Sequence, residues 1–148
     1  MLEAGGWDTH ANQGAERGQL ATRLRGLDQA LDSLRTALGA AWARSAVLVV
    51  TEFGRTVAVN GTAGTDHGTA TCAFLAGGAV AGGRVVTDWP GLATSALHEG
   101  RDLRPTLDVR AIMKGVLAAH LGAAESGLEE RVFPGSRAVR PLERLIKV

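Results

Sequence analysis

The sequence contains little of what stabilises small secreted domains or membrane proteins. Cys72 is its only cysteine, which excludes an internal disulfide and a zinc knuckle built from cysteines. No apolar stretch approaches the ~20 residues that a transmembrane helix requires. Residues 1–6 have neither the basic nor the apolar region of a signal peptide, so we expect no export signal on this chain. These absences favour a globular domain that folds around an apolar core.

The charges of the chain are nearly balanced. It has 16 Lys and Arg residues against 15 Asp and Glu residues, which gives a net charge of +1 at pH 7. Because there is no basic excess, we expect neither nucleic acid nor an anionic membrane as a partner. The length of 148 residues and the hydrophobic content of 45% are typical of one globular domain. We therefore interpret residues 1–148 as a single α/β domain.

A long amphipathic helix is predicted between about residues 14 and 40. Its leucines recur at alternating steps of four and three residues, which places all of them on one face: Leu20, Leu24, Leu27, Leu31, Leu34 and Leu38. Such a stripe forms either a coiled-coil seam or the face by which a helix lies on a sheet. We favour the sheet, because the repeat stops where an apolar strand begins.

Two unbroken apolar runs predict buried β-strands. Residues 46–51 and 71–76 show no polar alternation, which is typical of parallel strands that helices cover on both faces. Residues 84–86 indicate a further short strand, and Asp108 and Gly122 delimit a helix over residues 109–121. The predicted fold class is therefore α/β, a three-layer sandwich with a mainly parallel central sheet.

Polar residues follow the predicted strands, where α/β sheets bind their ligands. Asp8 and His10 are two residues apart, and in an extended segment their side chains project to the same side. A carboxylate with an imidazole suits zinc, manganese or iron. The alternative is that Asp8 caps the following helix and His10 is merely exposed.

Glu52 and Arg55 come directly after the first predicted strand. A carboxylate at the mouth of a central strand is costly unless it is paired or coordinated, so Glu52 is a candidate metal ligand. An ion pair between Glu52 and Arg55 is the simpler alternative. The planar guanidinium of Arg55 is also suited to bind a phosphate or sulfate, which makes Arg55 the candidate catalytic residue.

Asp66 and His67 precede the second predicted strand. In a loop both side chains can turn towards one site, and Gly68 keeps the backbone near His67 uncrowded. The alternative is a turn closed by a hydrogen bond from Asp66, and Asn60-Gly61 also indicates a simple turn. No Gly-x-Ser-x-Gly motif provides a serine nucleophile. The sequence therefore favours metal-assisted chemistry over a serine triad.

The order of these motifs resembles the domain of unknown function 1501 family, a bacterial branch similar to the alkaline phosphatase and sulfatase superfamily. The resemblance covers nearly the whole chain and rests on GGWDTH (5–10), TEFGRT (51–56), GTDHG (64–68), GGRV (82–85) and DWPG (88–91). Residues 100–103, 108–122 and 132–135 also match. The resemblance implies an alkaline-phosphatase-like fold and a metal-dependent hydrolase of small phosphate or sulfate esters.

The resemblance also implies roles for individual residues. The candidate ligands of a divalent metal are Asp8, His10, Glu52, Asp66 and His67, with zinc favoured over manganese, iron or calcium. Glu52 stands where the superfamily has an Asp followed by a His, whereas Phe53 follows here and removes one ligand. An alternative alignment equates Asp66 and His67 with that pair.

The same resemblance implies segments outside this chain. The superfamily's first metal-binding Asp and its nucleophile lie upstream of the matched motifs, so we expect a C-terminal portion of an alkaline-phosphatase-like domain, incomplete at the N-terminus. A twin-arginine signal is common in the family, which implies export to the periplasm or cell exterior. Two alternatives to a hydrolase remain. One is a non-catalytic metal-binding or scaffold domain, which Phe53 favours, and the other is a homo-oligomer joined through the leucine stripe.

Overall fold

The structure is a computed structural model that describes residues 1–147. The chain divides into two compact units. The first unit comprises Met1–Gly39, Thr51–Cys72 and Pro90–Pro105. The second unit comprises Ala40–Val50, Ala73–Trp89 and Thr106–Val148. Each unit is thus assembled from three separate stretches of the sequence.

The long helix of the first unit, α1, spans Gln19–Leu38 and confirms the helix that the leucine repeat predicts. It begins later than predicted because Gly14 and Gly18 have positive φ angles of 71° and 112°, which interrupt helical backbone. None of the residues of α1 is buried, and Leu24 is 43% exposed. The expectation that the leucine stripe lies on a sheet is therefore wrong within the described residues.

The second unit contains the helix α2, Val109–Leu121, with the predicted bounds. The carboxylate of Asp108 accepts a hydrogen bond from the backbone N–H of Arg110 at 2.8 Å, and Gly122 ends the helix with φ 66°. The predicted cap and stop are confirmed. A short helix α3, Glu125–Gly127, continues into a π-helical turn at Leu128–Val132. Over residues 1–147, no helix is long and apolar enough to cross a membrane.

Within residues 1–147, four short strands form two separate sheets. In the second unit β1, Val47–Val49, pairs antiparallel with β4, Phe74–Ala76. In the first unit β2, Gly54–Arg55, pairs antiparallel with β3, His67–Gly68. This second pair places Arg55 opposite His67, so it brings two of the candidate site residues together.

The predicted parallel α/β sandwich is wrong. Residues 1–147 contain only these two antiparallel sheets and no parallel central sheet, so the alkaline-phosphatase-like architecture is not observed. A short apolar run predicts a strand but specifies neither its direction nor its neighbours. Here the two apolar runs pair with each other, and none of the residues in β1 or β4 is buried. Residues 84–86, predicted as a strand, form none.

The apolar core of the second unit is formed by Val80, Leu145 and Ile146. Val80 and Ile146 also form an antiparallel bridge. Partly buried apolar side chains surround them: Ala46, Leu75, Ala79, Ile112, Val116 and Leu142. The β1–β4 pair, α2 and the C-terminal segment therefore meet in this core, where removal of apolar surface from water stabilises the unit.

A buried lysine complements this core. The side chain of Lys114 on α2 is 0% exposed. Its Nζ donates hydrogen bonds to the carbonyls of Ser136 at 2.8 Å and Val139 at 3.0 Å, and lies 3.4 Å from the carboxylate of Glu129. A buried ammonium is tolerated when it is paired in this way. Lys114 therefore ties the segment after α3 to α2.

Candidate metal centre

The interior of the first unit is polar. Its buried side chains are those of Thr9, Thr56, Thr65 and Asp102, whereas every buried hydrophobic residue among the described residues belongs to the second unit. The hydroxyls of Thr9 and Thr65 both donate to Oε1 of Gln13, at 2.9 and 2.6 Å. Hydrogen bonds, rather than apolar contacts, therefore hold the loops of this unit.

Backbone pairing brings two distant motifs into contact. The N–H groups of residues 12–13 donate to the carbonyls of residues 62–63, at 2.9 Å in each case. Next to this pairing, Gly64 is packed against the backbone of His10, and a Cβ at Gly64 would lie only 2.2 Å from the His10 carbonyl. Only glycine fits such a close approach. The first glycine of the GTDHG motif therefore allows this segment to lie against the GGWDTH segment.

Asp8, His10 and His67 form a group of three candidate metal ligands. Oδ1 of Asp8 lies 3.0 Å from Nε2 of His10 and 2.7 Å from Nε2 of His67. The two Nε2 atoms are 3.1 Å apart. The three side chains are between 43% and 61% exposed, so the group faces solvent. The structure thus brings together three of the residues that the sequence singles out.

The carboxylate of Asp8 is surrounded by donors. Its Oδ1 also accepts a hydrogen bond from Nη2 of Arg55 at 2.7 Å. The pKa of Asp8 lies below its usual value, chiefly because of the hydrogen bond with His67, and further because of the charge of His10 and the hydrogen bond from Arg55. Asp8 is therefore ionised at neutral pH, which is the form that binds a metal ion.

Asp66 contacts His10 on the ring nitrogen that does not face the group of three. Its Oδ1 is 3.2 Å from Nδ1 of His10 and accepts a hydrogen bond from Nδ2 of Asn60 at 3.0 Å. These contacts, first that of Asn60 and then that of His10, lower the pKa of Asp66. A carboxylate on the second ring nitrogen is the usual support of a metal-binding histidine, because it fixes the ring's tautomer and orientation. The contacts of Asp66 are those of such a supporting residue.

Arg55 is engaged by the protein itself. Nη1 donates to the carbonyl of Thr65 at 2.9 Å, while Nη2 donates to the carbonyl of Trp7 at 2.6 Å and to Asp8. The guanidinium therefore joins the segment before His10 to the segment before His67. Its predicted role in binding an anion stays a prediction, whereas its contacts favour a role in holding Asp8.

Glu52 is not part of the group. It is exposed, and it forms no hydrogen bond or ion pair with any residue in the range 1–147, so the alternative pairing with Arg55 is not observed. Its neighbour Phe53 does contact the group, since its ring centroid lies 4.3 Å from that of His67. An aromatic side chain therefore covers one side of the His67 imidazole.

Two residues near the group are not predicted by the sequence patterns. Asn60 is predicted only as part of a turn, yet its amide contacts both Asp66 and the backbone of His10. Arg101, whose side chain is 59% exposed, pairs with the buried carboxylate of Asp102 at 2.8 Å, and its charge helps to lower the pKa of Asp66. Only their positions in the sequence could have indicated them. Asn60 lies between the motifs at residues 51–56 and 64–68, and Arg101 lies in the matching segment at residues 100–103.

Comparison with known protein families identifies a match over most of the chain. The model of the family described as "Protein of unknown function (DUF1501)" matches residues 1–132. No curated protein and no solved structure matches the chain. The predicted membership of this family is confirmed, whereas a similarity to the alkaline phosphatase and sulfatase superfamily is not found. The chain belongs to the DUF1501 family of proteins of unknown function.

Proposed function

We propose that the first unit binds a divalent transition-metal ion through Asp8, His10 and His67, and that this centre hydrolyses phosphate or sulfate esters. The observation that carries the proposal is the convergence of one carboxylate oxygen and two imidazole nitrogens, each within 3.1 Å of the others. When Nδ1 of a neutral His10 donates to Asp66, Nε2 directs a lone pair towards the carboxylate of Asp8. A cation between these two acceptors stabilises that arrangement.

The distances suit an ion of the size of zinc. Zinc binds histidine nitrogen and carboxylate oxygen at about 2.0–2.2 Å. The three ligand atoms are 2.7–3.1 Å apart, which is close enough for one such ion to be bound by all three. Two imidazoles with one carboxylate favour zinc, iron or manganese, whereas calcium prefers a shell of oxygens. Zinc is therefore the ion that we propose first.

Three protein ligands are the number found in catalytic zinc sites, which keep a further position open for water or substrate. The exposure of the group gives an ester access to that position. The ion, when bound, supplies Lewis-acid stabilisation of the charge that develops on the transferring group. Phosphate and sulfate esters are the substrate class that we propose, because their anionic groups suit a bound cation beside a guanidinium.

The neighbouring residues have distinct roles in this proposal. Arg55 holds Asp8, and Asp66 orients His10. Arg101 is the guanidinium that we assign to the anionic ester, because its Nη1 donates no hydrogen bond within residues 1–147 and its backbone carbonyl accepts the N–H of Val57, close to β2, at 3.2 Å. Arg55 is less suited to this task, since both of its terminal nitrogens already donate to the protein.

A second candidate function is metal binding without catalysis. The observation that favours it is the contact of Phe53 with His67, whose ring centroids lie 4.3 Å apart. An apolar ring at that position supplies no coordinating atom, and it restricts access to one side of the group. A centre limited in this way would retain its ion but would not bind an ester productively.

A panel of aryl phosphate and aryl sulfate esters tests the hydrolase. We expect the purified chain, loaded with zinc, manganese or iron, to release the phenol, and we expect chelation or His67→Ala to abolish the release. Gln29→Ala, which removes an exposed amide from α1, is the control and retains full activity. Metal binding without turnover of any ester would contradict the hydrolase and support the second candidate. Absence of metal binding would contradict both.

A further inference from the structure

Asn60 is the central residue of the loop between β2 and β3. Its Oδ1 accepts hydrogen bonds from the backbone N–H groups of Thr62 and Gly64, both at 3.0 Å. Its own backbone N–H donates to the carbonyl of Gly64 at 2.9 Å. Because two N–H donors face Oδ1, the amide has one orientation that satisfies them, and its NH₂ group is directed to the other side.

That NH₂ group reaches His10 by two routes. Nδ2 of Asn60 donates to the backbone carbonyl of His10 at 2.9 Å and to Oδ1 of Asp66 at 3.0 Å. The same Oδ1 lies 3.2 Å from Nδ1 of His10. One amide therefore holds the main chain of a candidate ligand and, through Asp66, also holds its imidazole.

We propose that Asn60 is a positioning residue that fixes the orientation of the His10 imidazole through Asp66. An ionised carboxylate only accepts hydrogen bonds, so its contact with Nδ1 requires a proton on that nitrogen. This contact directs Nε2 towards Asp8 and His67, at 3.0 and 3.1 Å. Without the Asn60 donor, the Asp66 carboxylate loses a partner that fixes its rotamer, and the His10 ring loses its fixed orientation. This inference rests on the proposed metal centre only for its effect on affinity.

Thr62 provides a matched comparison within the same loop. Its Oγ1 lies within hydrogen-bond distance of the same His10 carbonyl, at 2.7 Å, and of Oδ1 of Asn60, at 2.9 Å, but it has no hydrogen bond with Asp66 among the described residues. Thr62→Val therefore removes a tether of the His10 backbone. Oδ1 of Asn60 keeps its two N–H donors, so the contact between Asp66 and His10 stays intact. A difference between Asn60→Ala and Thr62→Val separates positioning of the imidazole from simple tethering of the loop.

Zinc titration of the full chain tests the inference. We expect Asn60→Ala to weaken zinc binding by about 10- to 100-fold, the range typical of residues that support a ligand, and Thr62→Val to change it by less than about 3-fold. Because Asn60 acts chiefly through Asp66, and its other contact is a tether of the His10 backbone like that of Thr62, the double variant Asn60→Ala/Asp66→Ala is expected to bind within about 3-fold of Asp66→Ala alone. Equal losses for Asn60→Ala and Thr62→Val, unchanged affinity of Asn60→Ala, or multiplying losses in the double variant would overturn it.

The hydrogen bond between Nδ1 of His10 and Asp66 in the metal-free chain is a second readout, and it does not depend on metal binding. Nitrogen-15 NMR of the imidazole at neutral pH is expected to find a hydrogen-bonded proton on Nδ1 in the parent chain and the loss of that hydrogen bond in Asn60→Ala. This result in a chain that binds no metal would uphold the role of Asn60 while contradicting the proposed function. An Nδ1 without a proton in the parent chain, or an Nδ1–H hydrogen bond unchanged in Asn60→Ala, would overturn the role of Asn60.

Discussion

The two units of this chain bury different kinds of side chain. The second unit has an apolar core around Val80, Leu145 and Ile146. The first unit buries threonines and an aspartate, and its loops are held by hydrogen bonds. A net hydrogen bond contributes about 1 kcal/mol, whereas full burial of a large aliphatic side chain contributes about 1.5–3 kcal/mol. The comparison suggests that the second unit supplies stability and that the first unit supplies geometry for a site.

Charged residues differ between the units in the same way. Lys114 in the second unit is fully buried. Its ammonium donates to backbone carbonyls of the protein itself and does not face solvent. Asp8, His10 and His67 in the first unit are roughly half exposed and converge on one point. Burial therefore separates a polar residue that completes a core from polar residues that are available to a ligand.

The largest expected effect on stability is that of Lys114→Ala. This variant removes the donor to the carbonyls of Ser136 and Val139 and leaves Glu129 with only the more distant Arg137, at 3.7 Å, so we expect the free energy of unfolding to fall by about 3 kcal/mol. Lys147→Ala, at the other lysine of the chain, removes an exposed side chain whose Nζ donates one hydrogen bond, to the carbonyl of Gly78 at 2.8 Å, and is expected to change it by less than about 1 kcal/mol. Urea denaturation measures both values, and similar values for the two lysines would break the comparison.

A smaller loss is expected from the buried carboxylate of the first unit. Asp102 is 2% exposed and accepts hydrogen bonds from Thr69 at 2.8 Å and from Arg101. Asp102→Ala removes these hydrogen bonds to a buried charged group, so we expect a loss of about 1–3 kcal/mol, measured by urea denaturation. If the polar interior contributed nothing, this variant would be as stable as the parent.

The same carboxylate predicts a dependence on acid. The pKa of Asp102 lies below its ordinary value of 3.8, first because of the hydrogen bond with Arg101. Its stabilising contribution is therefore complete above about pH 4 and is lost as the pH falls further through the pKa of the folded state. Urea denaturation at several pH values checks this prediction. A parent and an Asp102→Asn variant with the same acid dependence would contradict it.

The smallest of these effects is that of the cap of α2. Asp108→Ala removes the side chain that accepts the Arg110 N–H, so we expect a loss of about 1 kcal/mol. Asp88→Ala, at an exposed aspartate of the same unit, is the control and should remain within about 0.5 kcal/mol of the parent. Thermal denaturation of the two variants compares them, and equal midpoints would contradict the assigned cap.

Local features were the part of the fold that could be predicted from the sequence. The structure contains both predicted helices, α1 and α2. Their signals lie within a few residues of each other in the sequence: the leucine repeat of α1, the cap at Asp108 and the stop at Gly122. Strand direction is not encoded in this way, because the apolar runs at residues 46–51 and 71–76 suit several pairings. Their antiparallel pairing with each other depends on contacts between distant segments.

The candidate site was predictable to a similar extent. Asp8, His10 and His67 belong to motifs whose order indicated a shared role, and the structure brings them together. The contact of Asn60 with Asp66 and the contact of Arg101 with Asp102 depend on side-chain geometry within the folded loops. The Asn60-Gly61 motif predicts the conformation of the local backbone. It does not predict which atoms the side-chain amide of Asn60 contacts.

Zinc titration of the purified chain, with the same titration of Asp8→Ala and His67→Ala, tests the metal centre most directly. We expect the parent chain and the Gln29→Ala control to bind the ion equally well. We expect each ligand variant to lose more than about 100-fold in affinity, beyond the range of a supporting residue. Parent chain that binds no zinc, iron or manganese, or ligand variants with the affinity of the parent, would contradict a metal centre at Asp8, His10 and His67.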